Sequence, residues 1–347
     1  MQRFFILILG LSLTAASCNV FDLGGGTRGV FKSEDGGQTY SASNALLPKG
    51  DINSLPITAL AFDPNNSEIV YAAAGAGMYK SEDGAKSWKY ILSGISVGDL
   101  VLDPANGSTV YASGIVGKSG KIIKSVDGGT SWVDIYSEPS DSNTVLSITL
   151  ARNNSSTILA GLNNGEIIRS TDAGRTWQTV KDLTNRVVDI EFDSSNIAYA
   201  LAVQAGLYKS PDAGLSWIEV SSVLTEDNLF SSNNALPSVS AFNDLAIDPK
   251  QAGVVYLGTE EGLYRTVDSA SNWSFLSLPV RNGALSVSSI TVEPNNSNAV
   301  YASVASTIYK SVNGGLTWET KVLPTSSIID SILINPSSSN IIYIGLR

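Results

Sequence analysis

Three aspartates, Asp99, Asp189 and Asp244, occupy the same place in three short β-like runs, "VGDLVLDP", "VVDIEFDS" and "FNDLAIDP". Carboxylates brought together at one point could hold a cation or a polar ligand, or cap strand ends that face water. No other chemistry is as easy to place. The chain has no histidine, which excludes a Ser-His-Asp triad, a Cys-His dyad and a His-ligated zinc site. It has a single cysteine, Cys18, so no intrachain disulfide can form and packing alone must hold the fold. The formal charge is −10 over 347 residues, which disfavours nucleic acid as a partner.

Those aspartates are set in a repeat. A nine-residue phrase recurs seven times: "KSEDGGQTY" from Lys32, "KSEDGAKSW" from Lys80, "KSVDGGTSW" from Lys124, "RSTDAGRTW" from Arg169, "KSPDAGLSW" from Lys209, "RTVDSASNW" from Arg265 and "KSVNGGLTW" from Lys310. The interval, 40 to 56 residues, suits a four-stranded propeller blade better than a helical repeat. Upstream of each phrase lie two β-rich runs, such as "ITALAFDP" and "IVYAAAG", with period-2 alternation. Each unit therefore reads as strands A, B and C, the phrase, and strand D. Before the first phrase there is room for strand C only. After the last phrase, "DSILINP" and "IIYIGLR" read as strands A and B. Head and tail are thus complementary halves of a seventh blade, and their pairing closes an all-β, seven-bladed ring and removes its exposed edges.

The phrase itself carries short oxygens and carboxylates suited to tight turns. All six tryptophans stand at its last position (Trp88, Trp132, Trp177, Trp217, Trp273 and Trp318), and Tyr40 fills the seventh. A residue type confined to one place in a repeat is used for packing. The third position is Asp35, Asp83, Asp127, Asp172, Asp212, Asp268 or Asn313. None of the phrases has the downstream glutamate of an EF-hand loop, so they are read as structural rather than metal-binding, and no metal or cofactor is expected. The basic residue before each phrase reads as a solvated outer rim paired with local carboxylates.

The motif Ser-x-Asp-x-Gly-x-x-Trp, as in "SVDGGTSW", resembles the Asp-box or bacterial neuraminidase repeat. That resemblance implies a turn between the two outer strands of a propeller blade. A single ring of seven is similar to the photosystem II assembly factor family and, more distantly, to sortilin/Vps10 propellers. Sialidases share the box, but their arginine triad cannot be assigned among Arg28, Arg152, Arg186, Arg281 and Arg347. Xyloglucan-active endoglucanases also share it and hold substrate between two propellers, yet no catalytic carboxylate pair is assignable here.

At the N-terminus, Arg3, the apolar run Phe4–Leu13 and the small residues before Cys18 read as an export signal. This stretch resembles a bacterial lipobox, which implies acylation of Cys18 and an anchor in the cell envelope, in the outer membrane if the cell is Gram-negative. The expected organisation is a lipoprotein signal over 1–17, a tether over 18–27 and the propeller over 28–347. The longest insert follows Trp217, and its Leu224, Leu229, Phe230 and Leu236 are candidate partner contacts. The expectation is a monomeric, non-catalytic propeller, lipid-anchored outside the cytoplasm, that binds or assembles an envelope protein. The alternative is a carbohydrate-active propeller, binding glycans or cleaving them as a glycoside hydrolase or sialidase does.

Overall fold

In the computed structural model, residues 28–221, 242–280 and 285–347 are described. They form seven four-stranded antiparallel sheets, each the blade of a propeller. The inner strands, which line the axis, are Ile57–Asp63, Ser96–Asp103, Val145–Ala151, Val187–Phe192, Phe242–Ile247, Val287–Glu293 and Ile329–Ile334. Blades 1 to 7 are numbered here in that order. The seventh is composite: Ile329–Ile334 and Ile342–Leu346 pair with Gly29–Ser33 and Ser41–Ala42. The closing register runs antiparallel from Gly29 opposite Leu346 to Ser33 opposite Ile342, so the tail supplies the strands that the head lacks.

The hydrophobic core is not one mass but seven, each wedged between consecutive blades. The aromatic that ends each nonapeptide packs on the blade before it. Trp88 joins Val30 and Tyr343 of blade 7, Trp217 joins Leu159 and Ile167 of blade 3, and Trp273 joins Tyr199 and Leu201 of blade 4. Tyr40, Trp132, Trp177 and Trp318 do the same from half-buried positions. A flat side chain at a blade boundary buries area against both sheets, which is why one residue type recurs at that position.

The nonapeptide turns share one hydrogen-bond pattern. In blade 2 the Ser125 hydroxyl donates to Asp127 Oδ1 at 2.8 Å and accepts the Gly129 N–H at 2.8 Å. Asp127 in turn accepts the Ser131 N–H and hydroxyl at 2.8 and 2.6 Å. These donors, hydroxyl first, hold the carboxyls of Asp35, Asp127, Asp172 and Asp212 down at about 2. Where Asn313 replaces aspartate, its Oδ1 accepts the Thr317 N–H and its Nδ2 donates to the Thr317 hydroxyl at 2.8 Å. The amide thus keeps the turn by reversing one bond.

The basic residues that precede the phrases are not a solvated rim. Five reach across to the next blade and donate to the carbonyl of the same turn position there. The pairs are Lys124 to Ala173, Arg169 to Ala213, Lys209 to Ser269, Arg265 to Gly314 and Lys310 to Gly36, at 2.9 to 3.4 Å. Tyr71 to Gly128 and Tyr343 to Gly84 complete the circle. The accepting residue is left-handed at every blade, even where it is Ala173 (φ 60) or Ala213 (φ 56). That conformation costs about 1–2 kcal/mol for a non-glycine residue and turns the carbonyl toward the neighbouring cation. Lys80 and Lys32 also pair with Glu82 and Glu34 of their own turns.

Candidate functional site

Every inner strand carries a β-bulge near its start, at the register shifts Ile57/Ala59, Val97/Asp99, Val145/Ser147, Val187/Asp189, Phe242/Asp244, Val287/Ser289 and Ile329/Ser331. A bulge leaves one residue unpaired and re-aims its neighbours. The first residue after it is Asp99 in blade 2, Asp189 in blade 4 and Asp244 in blade 5. The three aspartates are therefore structurally equivalent, as their sequence positions suggest, and all line one axial cavity of about 470 Å³.

Each of them reaches the next blade. Asp99 accepts the N–H of Ile148 at 2.9 Å, Asp189 that of Leu245 at 3.2 Å and Asp244 that of Ile290 at 2.6 Å. The partner in each case is the second residue past the next blade's bulge, whose N–H faces the axis rather than a sheet neighbour. The carboxyls thus satisfy inner-edge donors that would otherwise be stranded.

Two further carboxyls join them that the sequence reading missed. Glu191 lies two residues beyond Asp189, on the same face of its strand, and accepts the Ile247 N–H at 3.3 Å. Asp330 sits at the bulge of blade 7 and pairs with Arg347 at 3.3 Å. The signal for Glu191 was the period-2 alternation in "VVDIEF". Asp330 gave none, because it stands one residue out of register with the other aspartates.

Burial in this narrow space is the main influence on their protonation. It raises Asp99 to about 6, against the N–H bonds from Ile148 and Leu100. It raises Glu191 to about 7, opposed by the Arg152 charge. Asp189 is pushed well above its usual value by burial and then by the charges of Glu191, Asp244 and Asp99. Asp244 is raised likewise by burial, against the Ile290 N–H. Burial also lifts Asp330, while Arg347 restrains it. The axis therefore holds carboxyls that keep protons at neutral pH beside one, Asp99, that ionises there. That is the pairing general acid–base chemistry requires. Among the described residues no group of His, Cys, Asp or Glu is arranged to hold a metal ion.

On the face opposite the nonapeptide turns, the channel opens into a second cavity of about 560 Å³, lined by residues of blades 4 to 7. Leu229 and Phe230, with Leu224 and Leu236, lie outside the described residues, as does Cys18.

The chain matches no protein-family model. It is 25% identical over 270 residues to a xyloglucanase of a Paenibacillus species, an alignment covering 71% of this chain and 23% of that protein. Among solved structures it resembles the GH74 xyloglucanase of Xanthomonas campestris, with a TM-score of 0.67 and 18% identity over 84% of this chain and 51% of the other. It also resembles YCF48 bound to a D1 peptide, with a TM-score of 0.63 and 17% identity over 85% and 93% of the two chains.

The two structural likenesses show the propeller fold. The chain spans about a quarter of the length of the Paenibacillus xyloglucanase. The expectation of a non-catalytic assembly scaffold is overturned by these matches: over most of the chain the curated relatives are named as glycan-cleaving enzymes, which favours the carbohydrate-active alternative. The expectation of no enzymatic activity falls with it. It rested on finding no carboxylate pair in the sequence, and the fold assembles carboxyls from four blades.

Proposed function

We propose that this chain is a carbohydrate-active propeller, a glycoside hydrolase acting on β-glucan chains of the xyloglucan class, with the axial cavity as its glycan site. The observation that carries the reading is the carboxyl set on the axis. Asp189 and Asp244, held protonated, can donate to a glycosidic oxygen, and Asp99, ionised near neutrality, can serve as the opposing carboxylate. The cavity volume of about 470 Å³ falls in the range of small-ligand pockets. The similarity to xyloglucanases supports the substrate class.

The seven turns are read as Asp-boxes on their shared hydrogen-bond pattern, and they leave the axis free for chemistry. Export and lipidation at Cys18 fit an enzyme that meets polymeric substrate at the cell surface. Release of reducing ends from soluble xyloglucan tests the reading. The full chain is expected to produce them, and Asp244→Asn to lower the rate at least about a hundredfold. Absence of release by the intact protein, together with absence of xyloglucan binding, rejects the reading.

A further inference from the structure

The geometry points to a subsite for a carboxylated sugar at the mouth of the channel opposite the turns, with Arg186 taking the carboxylate. This rests on the glycan reading above and narrows its ligand class. Outside the nonapeptides the described arginines are Arg28, Arg152, Arg186 and Arg347, and three of these four line the axial cavities. In a protein of net charge −10, that convergence is not what a solvated acidic surface produces.

The three guanidinium groups differ in availability. Arg152 lies deeper, donates from Nε to the Phe192 carbonyl at 3.4 Å and faces Glu191. Arg347 is held against Asp330. Arg186 is exposed at the rim and makes no ion pair among the described residues. A guanidinium fork open to a cavity is suited to a planar carboxylate, which it can grip with two parallel bonds.

The rest of the mouth selects what carries that carboxylate. Glu260 and Asp330 line the same space, so a compact inorganic anion would meet two carboxyls of its own sign. A sugar acid offers one anionic group and several hydroxyl donors, which Glu260 and Asp330 can accept. The Asn243 amide is already committed to Ser286 Oγ and the Val287 carbonyl at 3.0 and 3.1 Å, and the Ser288 hydroxyl to the Ile329 carbonyl at 2.8 Å. These bonds keep the floor of the mouth rigid, which favours preorganised recognition.

Titration calorimetry on the full chain compares methyl β-glucuronide, methyl β-glucoside and inorganic phosphate, for wild type and Arg186→Gln. Because Arg186 is exposed and structurally unpartnered, the variant should melt with the wild type. The expected result is preference for the glucuronide over both other probes, with that preference falling at least about tenfold in Arg186→Gln. Equal affinity for glucuronide and glucoside overturns the inference and leaves the glycan reading standing. So does unchanged glucuronide affinity in the variant, or equal or tighter binding of phosphate. Tighter capture of a short peptide by its free C-terminal carboxylate also overturns it. Binding of no saccharide at all removes both.

Discussion

The Asp244 carboxylate accepts the backbone N–H of Ile290 at 2.6 Å, across the boundary between blades 5 and 6. One residue type at one place past a bulge therefore joins neighbouring blades and puts a carboxyl on the axis. The same arrangement recurs from Asp99 to Ile148 and from Asp189 to Leu245. Stability and the candidate chemistry are coupled through these bonds, and the coupling has a sign.

Folded-state values of Asp99, Asp189, Glu191 and Asp244 are all raised. A raised carboxyl binds its proton more tightly in the folded chain, so its penalty is absent below the unfolded value of about 4 and accrues as pH rises toward the folded value. For Asp99 and Glu191 the windows end at about 6 and about 7. The turn aspartates, held at about 2, act oppositely and lose their contribution only as pH falls below about 4. Melting temperature should peak near pH 4 to 5 and fall by about 5 °C toward pH 7.5. The groups facing this cluster are Asp330, Arg152 and Arg347, and the double variant Asp189→Asn, Asp244→Asn should flatten the slope. A melting temperature that climbs steadily to pH 7.5 would refute the burial argument.

Trp88 is fully buried between blades 7 and 1 and donates from its indole N–H to the Ser43 carbonyl at 2.7 Å. Trp88→Ala should cost about 3–5 kcal/mol by denaturant unfolding. The half-buried Trp132 should cost less when changed in the same way. Equal losses at the two positions would show that the aromatic is not acting through area buried between blades.

Ring closure is testable at one hydroxyl. Tyr343 O–H donates to the Gly84 carbonyl at 3.0 Å, joining blade 7 to blade 1. Tyr343→Phe removes only that bond and should destabilise by about 0.5–1.5 kcal/mol. Ile344→Ala, in the same closing strand and fully buried, should cost about 2–5 kcal/mol. The effect of both should vanish in a chain already opened by deletion of residues 342–347.

The inter-blade cations offer a contrast with surface ion pairs. Arg169 donates from Nε to Ala213 at 2.9 Å, and Arg169→Ala should lose about 1–3 kcal/mol because a turned carbonyl is left without its donor. Lys89, paired with Glu82 at 2.7 Å on the exposed side, should be close to neutral when replaced by alanine.

The ring was legible in the sequence because its signals are local and repeated. Seven phrases gave seven turns, and the half-blades at the two ends gave the closing register of Gly29 with Leu346. The equivalence of Asp99, Asp189 and Asp244 was legible for the same reason. What was not legible depends on contacts between repeats. Lys124 and Arg169 looked like rim cations because their acceptors, Ala173 and Ala213, lie one blade away. Asp330 and Arg347 are far in sequence from the carboxyls they join, and Arg152 and Arg186 stand in unrelated connections. Only ring closure brings them to one axis.

The most direct test of the account is a structure of the chain with a xyloglucan oligosaccharide bound. A sugar ring is expected in the axial cavity, with a glycosidic or hydroxyl oxygen within hydrogen-bond distance of Asp189 or Asp244. An oligosaccharide seated instead on the face of the nonapeptide turns, with the axis unchanged, would contradict it.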